Sequence, residues 1–87
     1  MKTFIEVENE GLESLLGKRV LLMSAGYFYE GILSGVNETC VKVSDAHIVY
    51  STGKFTDANY TDRQKLHTPD WYVATGLIES FGLSKVK

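Results

Sequence analysis

The sequence contains one cysteine, Cys40, and one proline, Pro69. A single cysteine excludes an intrachain disulfide and a Cys-x-x-Cys metal or redox motif. No run approaches the roughly 18 consecutive apolar residues of a membrane-spanning helix. The first residues turn acidic at Phe4-Ile5-Glu6, which leaves no room for the apolar core of a secretion signal. We therefore expect a cytoplasmic protein that does not bind a membrane.

The chain also lacks a strong charge imbalance, internal repeats and a low-complexity linker. Its formal net charge of −2 argues against a wholly basic nucleic-acid binder, although local basic patches still attract phosphate. Its 87 residues, 44% of them hydrophobic, are enough for one compact domain and too few for two. We predict a single domain over residues 1–87. Because so short a chain hides a small fraction of its surface, we also expect it to associate with copies of itself.

Groups of residues typical of catalytic and metal sites are scarce. His47 and His67 are far apart in the sequence, and Cys40, Asp45 and His47 would form a metal cluster only if the strands brought them together. A buried thiol with surface imidazoles is the favoured interpretation. The segment 51–54, Ser-Thr-Gly-Lys, lacks the first glycine and the following Ser or Thr of a phosphate-binding loop. We predict no enzyme activity, no metal and no cofactor.

The region from Gly17 to Val43 is typical of short strands joined by tight turns. Before it, Asn9 is predicted to cap a helix of about two turns that ends at Gly17. Three strands are then predicted, with uncertain boundaries: Arg19 to Ser24, Tyr27 to Val36, and Thr39 to about Tyr50. The first has apolar residues on both faces, which predicts a strand covered on both sides.

Two features inside these strands predict a bent sheet. Gly31 interrupts the second strand, and a glycine at such a position often marks a barrel corner where the backbone curves closely over a small core. Asp45-Ala46 is predicted to bulge the third strand. A small barrel is therefore favoured over a flat sheet.

The second half of the chain is less regular. Residues 51–69 are polar and predict a long loop, or a loop with a ragged hairpin, where variable contacts are usually found. Residues 71–81 predict one or two short strands kinked at Gly76, with Trp71, Val73 and Leu77 on one face and Tyr72, Ala74 and Ile78 on the other. Residues 82–87 are predicted to form a short tail.

Several short motifs follow one another in a specific order along the chain. They are Leu15-x-Gly17-Lys18-x-Val20 at the helix-to-strand junction, Ala25-Gly26 at the first turn, Tyr29-x-Gly31-x-Leu33 followed by Asn37, Asp45-Ala46 after the third strand, and Ala74-Thr75-Gly76. Their order and spacing over about residues 8–81 resemble the Sm-like (LSm) family, in which an Asp usually stands at the place of Asn37 and Ile-Arg-Gly at that of Ala74-Thr75-Gly76. The resemblance implies a mainly β fold: a short N-terminal helix followed by a five-stranded, strongly bent, SH3-like open barrel.

The resemblance also implies a homo-oligomeric ring of about five to seven copies, in which the last strand of one subunit pairs with an edge of the next. The segment 73–78 carries no charge, and an uncharged edge strand invites pairing. The candidate interface residues are Val73, Ala74, Thr75, Gly76, Leu77 and Ile78.

Binding of single-stranded RNA is a further implication of the resemblance. In the family, an aromatic residue or histidine stacks on a base, an Asn reads the base edge, and an Arg stacks from behind. This chain carries Thr39, Val41 and Thr75 at those positions, next to Asn37. Neither threonine provides a stacking plane, which is worth about 1–3 kcal/mol per base, and Val41 provides no edge recognition. These four residues are the candidate RNA contacts.

Lys54, Arg63 and Lys65 complete the candidate RNA-binding residues, because ring symmetry would repeat them around one rim. The neighbouring Asp57 and Asp62 make the same segment typical of an ordinary solvated surface. Two functions therefore stay open. One is a non-enzymatic Sm-like ring that binds single-stranded RNA or acts as an RNA chaperone. The other is a ring that has lost RNA binding and serves as a scaffold for protein partners.

Overall fold

A computed structural model describes residues 11–86, which are mainly β-strand. The strands are β1 (Arg19–Ser24), β2 (Phe28–Val36), β3 (Cys40–Ser51), β4 (Asp62–Lys65), β5 (Asp70–Ala74) and β6 (Ile78–Leu83), with short 3-10 helices at Leu12–Leu15 and Thr75–Leu77. The predicted mainly β class and the first three strands are confirmed. The sheet has six strands where five were predicted, because β4 forms inside the segment predicted as a loop or ragged hairpin.

All pairings in the sheet are antiparallel, and the strand order is β4-β3-β2-β1-β6. β5 pairs with the first half of β3, and β4 pairs with its second half. β4 and β5 therefore lie along the same long strand. The sheet is open, with β6 at one end and β4 and β5 at the other.

A β-bulge lies where Gly31 faces two residues of β3, Asp45 and Ala46, instead of one. This is the bulge predicted from the sequence, and Asp45 adopts a left-handed φ of 50° within it. A Cβ atom built on Gly31 would lie 2.8 Å from the carbonyl oxygen of Ser44 and would overlap the side chain of Val43. The predicted role of Gly31 at a close backbone approach is confirmed.

The predicted N-terminal helix of about two turns is not confirmed. The described residues form one 3-10 helix at Leu12–Leu15, preceded by Gly11 with no side-chain cap. The cap predicted at Asn9 lies outside the described residues. Gly17 ends the helix as predicted, with φ of 84° and its N–H donating to the carbonyl of Leu33 at 2.7 Å.

The kink predicted at Gly76 is confirmed, because the 3-10 helix Thr75–Leu77 separates β5 from β6. The predicted faces of Leu77 and Ile78 are wrong: Leu77 is 66% exposed, whereas Ile78 packs against the core. A 3-10 turn breaks the two-residue alternation of a strand, so the pattern read from β5 does not continue into β6.

The predicted tail also needs correction. Residues 82 and 83 belong to β6, and the N–H of Ser84 donates to the carbonyl of Arg19 at 2.9 Å. Val86 packs against a group of apolar side chains on the sheet. The chain is therefore held against the sheet as far as residue 86.

Two apolar cores lie on opposite faces of β1, as its two apolar faces predict. The main core contains the buried residues Val20, Leu22, Leu33, Val41, Val43, Ala46 and Val73. The second core contains Leu21, Val49 and Tyr60, with Met23, Phe28 and Val86 packed against them. Both cores thus anchor β1 in the middle of the sheet.

Candidate functional site

The outer edge of β6 is apolar and open. Within residues 11–86, β6 pairs with β1 alone. Phe81 and Leu83 stand directly opposite Leu22 and Val20, so their side chains lie on the same face of the sheet as the main core. Nevertheless Phe81 is 42% exposed and Leu83 is 62% exposed. Apolar side chains on the core face stay in solvent because no described strand covers the gap beyond β6.

The candidate interface residues do not form one continuous strand. Val73 lies in β5 and is buried in the main core, so its side chain already has its partners. Thr75, Gly76 and Leu77 form the turn between the strands, and Ile78 begins β6. The longer exposed apolar edge lies beyond this segment, at Phe81 and Leu83. Their spacing of two residues in the sequence was the signal that could have identified it.

The turn after β2 brings together three of the candidate RNA contacts. The Oδ1 atom of Asn37 accepts hydrogen bonds from the backbone N–H of Thr39 at 2.8 Å, from the Thr39 hydroxyl at 3.0 Å, and from the N–H of Cys40 at 2.8 Å. The N–H of Thr75 donates to the carbonyl of Thr39 at 2.9 Å. The structure therefore places Asn37, Thr39 and Thr75 side by side, and their polar groups largely satisfy one another.

Val41 has to be removed from the candidate contacts. It is completely buried in the main core, where it stands opposite Val73 of β5. The alternation of Val41 and Val43 along β3 turns both side chains inward. A side chain without accessible surface has no contact to offer a ligand.

The basic candidates do not form one loop patch. Arg63 and Lys65 lie in β4, where the guanidinium of Arg63 donates to Oε1 of Glu30 at 3.0 Å. Lys65 Nζ lies 3.5 Å from Oδ1 of Asp45. Lys54 lies in the exposed loop before β4. Two of the three predicted cations are therefore neutralised by carboxylates of this chain.

Glu30 is the centre of a charged cluster that the sequence analysis missed. Its side chain has no accessible surface, and its Oε1 atom accepts from Arg19 Nη1 at 2.8 Å as well as from Arg63. Its Oε2 atom accepts from the hydroxyl of Ser84 at 2.9 Å. His47 Nδ1 lies 3.8 Å from Oε1. A glutamate at an inward position of a strand was the available signal, because a buried carboxylate requires partners.

Asp45 extends this cluster to the bulge. Arg19 Nη2 donates to Oδ2 of Asp45 at 2.5 Å, and that hydrogen bond lowers the pKa of the Asp45 carboxyl. Burial alone lowers the pKa of the Arg19 guanidinium, but the hydrogen bond to Asp45 and the charge of Glu30 outweigh this and leave that pKa raised. His47 Nδ1 lies 2.8 Å from the backbone oxygen of Asp45 and donates to it. Glu30 and Asp45 thus pair with two guanidiniums and the ammonium of Lys65, and this network of ion pairs forms a structural clamp.

Other kinds of site find no support in this part of the chain. Among residues 11–86 no group of three His, Cys, Asp or Glu side chains is placed to hold a metal ion, so Cys40, Asp45 and His47 do not form the cluster considered above. No helix within the same residues has both the length and the apolar character needed to cross a bilayer.

The chain was also compared with known proteins. No protein-family model and no curated protein matches it.

Proposed function

We propose that this chain is a non-enzymatic Sm-like subunit that assembles with copies of itself and serves as a scaffold for protein partners. The order of the strands supports the family assignment. β4 and β5 both pair with β3, one beyond the other, so together they take the place of one bent strand in a five-stranded open barrel. The sheet then ends on one side at β4 and β5 and on the other at β6.

The observation that carries the proposal is the exposure of Phe81 and Leu83 on the core face of β6. A strand that extends the sheet beyond β6 would cover both side chains and pair with the free backbone groups of the edge. Full burial of a Phe or Leu side chain contributes about 1.5–3 kcal/mol. Because Phe81 and Leu83 are each roughly half exposed, covering both side chains contributes about 1.5–3 kcal/mol to one contact between two copies.

The partner strand is proposed to be the outer edge of β5 and β4 in a second copy. The contact is then head-to-tail, because each copy offers β6 on one side and β5 with β4 on the other. A head-to-tail contact forms a closed ring when its rotation closes, and we propose about five to seven copies.

RNA binding is the second candidate, supported by the close approach of Asn37, Thr39 and Thr75. Three observations weaken it: these polar groups bind one another, Val41 is buried, and Arg63 is bound to Glu30. Asn37, Thr39, Val41 and Thr75 provide no stacking plane for a base. The scaffold function is therefore preferred.

Assembly is tested by light scattering on a sizing column. The parent protein should elute as a single species of several subunits. Phe81→Lys with Leu83→Lys should give a folded monomer, because lysine on an edge strand opposes pairing. Leu16→Lys with Tyr50→Lys is the matched control, since it also adds two charges at exposed apolar positions and should keep the parent mass. A monomeric parent at about 100 µM, or an edge variant with the parent's mass, would refute the assembly.

RNA binding is tested separately by fluorescence anisotropy with labelled U-rich and A-rich oligonucleotides at low and moderate salt. The scaffold function predicts a weak signal that does not depend on sequence and disappears with salt. Lys54→Glu should weaken that signal without affecting the fold, because the Lys54 side chain is exposed in the loop before β4. Salt-resistant binding with a preference for one oligonucleotide would instead support the RNA function.

A further inference from the structure

A cavity of about 220 Å³ opens beside β6 on the face of the second core. Its size is informative, because an apolar cavity of about 150 Å³ is enough to hold a benzene ring. The lining residues come from β1, β6, the loop before β4 and the C-terminal segment: Leu21, Met23, Phe55, Tyr60, Ser80, Phe81, Gly82, Leu83 and Lys85.

The cavity exists because β6 places small residues over the second core. Gly82 and Ser80 stand opposite Leu21 and Met23 of β1. A Cβ atom built on Gly82 would meet no atom within 4 Å. The space is therefore open at the surface and would accept a larger side chain, but the sequence leaves it empty. Phe55, which is 64% exposed, forms one wall of this opening.

One cation lies at this apolar cavity. The ammonium group of Lys85 lies 4.9 Å from the ring centre of Tyr60 and 5.8 Å from that of Phe55. It donates to the carbonyl oxygens of Thr52 at 3.1 Å and Lys54 at 2.6 Å. Its position is therefore fixed by backbone acceptors and by two rings.

Among residues 11–86, Lys85 forms no ion pair. An ammonium group has three donors, and the two carbonyls use two of them. Within the described residues, one donor and the positive charge of Lys85 are thus left for a ligand.

We propose that this cavity binds a small amphipathic carboxylate, with its apolar part over Leu21 and Met23 and its carboxylate on the Lys85 ammonium. Charge complementarity selects this occupant: an uncharged apolar molecule would leave the cation unpaired, and an amine would be repelled by it. A carboxylate gains a charge-assisted hydrogen bond, which is stronger than a neutral one. The floor of the site, Leu21 and Met23, lies on the face of the sheet opposite to the side chains of Phe81 and Leu83, although both of these residues also border the cavity.

The test uses 3-phenylpropanoate as the ligand, with 3-phenylpropan-1-ol and 3-phenylpropylamine as matched neutral and cationic probes. Binding to the full chain is followed by amide chemical shifts in ¹H–¹⁵N spectra. The carboxylate should shift the amides of residues 80–83 and 55–60 in a saturable manner. It should bind about tenfold more tightly than the alcohol, and the amine should not bind.

Two variants separate the cation from the cavity. Lys85→Met should weaken binding of the carboxylate about tenfold and leave binding of the alcohol nearly unchanged, since it removes the charge and keeps the length of the side chain. Gly82→Val should abolish binding of both, because it fills the space. Lys18→Met, which removes an exposed lysine elsewhere, should bind like the parent. The amide spectra report directly whether each variant is folded.

Three results would overturn the proposal. The first is the absence of saturable shifts up to about 10 mM carboxylate. The second is equal affinity for the carboxylate and the alcohol, which would identify a purely apolar cavity. The third is a change in oligomeric mass with Gly82→Val, which would show that a second copy occupies the space. Failure of the assembly test would leave the first two results unaffected, because they are measured on residues of one copy.

Discussion

Replacing Glu30 with glutamine should destabilise the fold more than any other isosteric change of a carboxylate in the described chain. Glu30 is fully buried and accepts from two guanidiniums and a hydroxyl. Breaking a buried ion pair costs about 3–5 kcal/mol, because the remaining charge has lost its partner. Arg19 still pairs with Asp45 in this variant, and the side chains of Arg19 and Arg63 retain some contact with water. The lower end of that energy range therefore applies. We expect a loss of about 3 kcal/mol in the free energy of unfolding, or about 12–24 °C in Tm.

The measurement is urea denaturation followed by the fluorescence of Trp71, at one protein concentration because the proposed assembly would make stability depend on concentration. Glu79→Gln is the control, since Glu79 is exposed and its change should stay within about 0.5 kcal/mol. A second variant, Glu30→Gln with Arg63→Met, removes one of the cations left without a partner. Its loss should be smaller than the sum of the two single losses by at least about 1 kcal/mol. If the free energy of unfolding of the Glu30→Gln protein lies within about 1 kcal/mol of the parent's value, the stabilising role of the clamp is refuted.

Two further predictions concern the bulge. Gly31→Ala should cost about 1–3 kcal/mol by overpacking against the backbone of Ser44, while Gly76→Ala, with open space around it, should change stability by under about 0.5 kcal/mol in the same urea assay. The pKa of Asp45 is lowered in the folded state. The stabilisation that its ionised carboxylate gives the fold is therefore complete above the ordinary carboxyl pKa of about 4, and it is lost as the pH falls towards the lowered pKa of the folded state. Asp45→Asn, which tolerates the positive φ, should therefore show a shallower loss of stability below about pH 4 than the parent, and equal slopes would contradict this.

The parts of the fold that could be predicted are those fixed by local sequence. The continuous apolar run of β1 and the alternating apolar residues of β3 identify the two strands. The glycines at 17, 31 and 76 mark three places where the backbone turns or approaches itself closely. β4 could not be identified in this way. Its sequence, Asp62 to Lys65, contains no apolar residue, so alternation gives no signal. It forms because the backbone of β3 offers a free edge and because Arg63 finds a buried carboxylate.

The charged cluster could not be predicted from local sequence because its members come from distant parts of the chain. The partners of Glu30 lie 11, 33 and 54 residues away, at Arg19, Arg63 and Ser84. An inward glutamate predicts that partners exist, but not which ones. For the same reason Arg63 was interpreted as a loop cation available to RNA. Its charge is used inside the fold once β4 pairs with β3.

The cluster and the open edge are connected through Ser84, directly after β6. Its hydroxyl donates to the Glu30 carboxylate and lies 3.2 Å from the Tyr60 hydroxyl, while its N–H donates to the backbone carbonyl of Arg19. An edge strand that is to pair with a second copy must be held in register, since a shift of one residue would turn Phe81 and Leu83 to the wrong face. The buried carboxylate of Glu30 thus does more than stabilise the interior of the fold. By fixing the end of β6, it also sets the position of the apolar edge on which the proposed assembly depends.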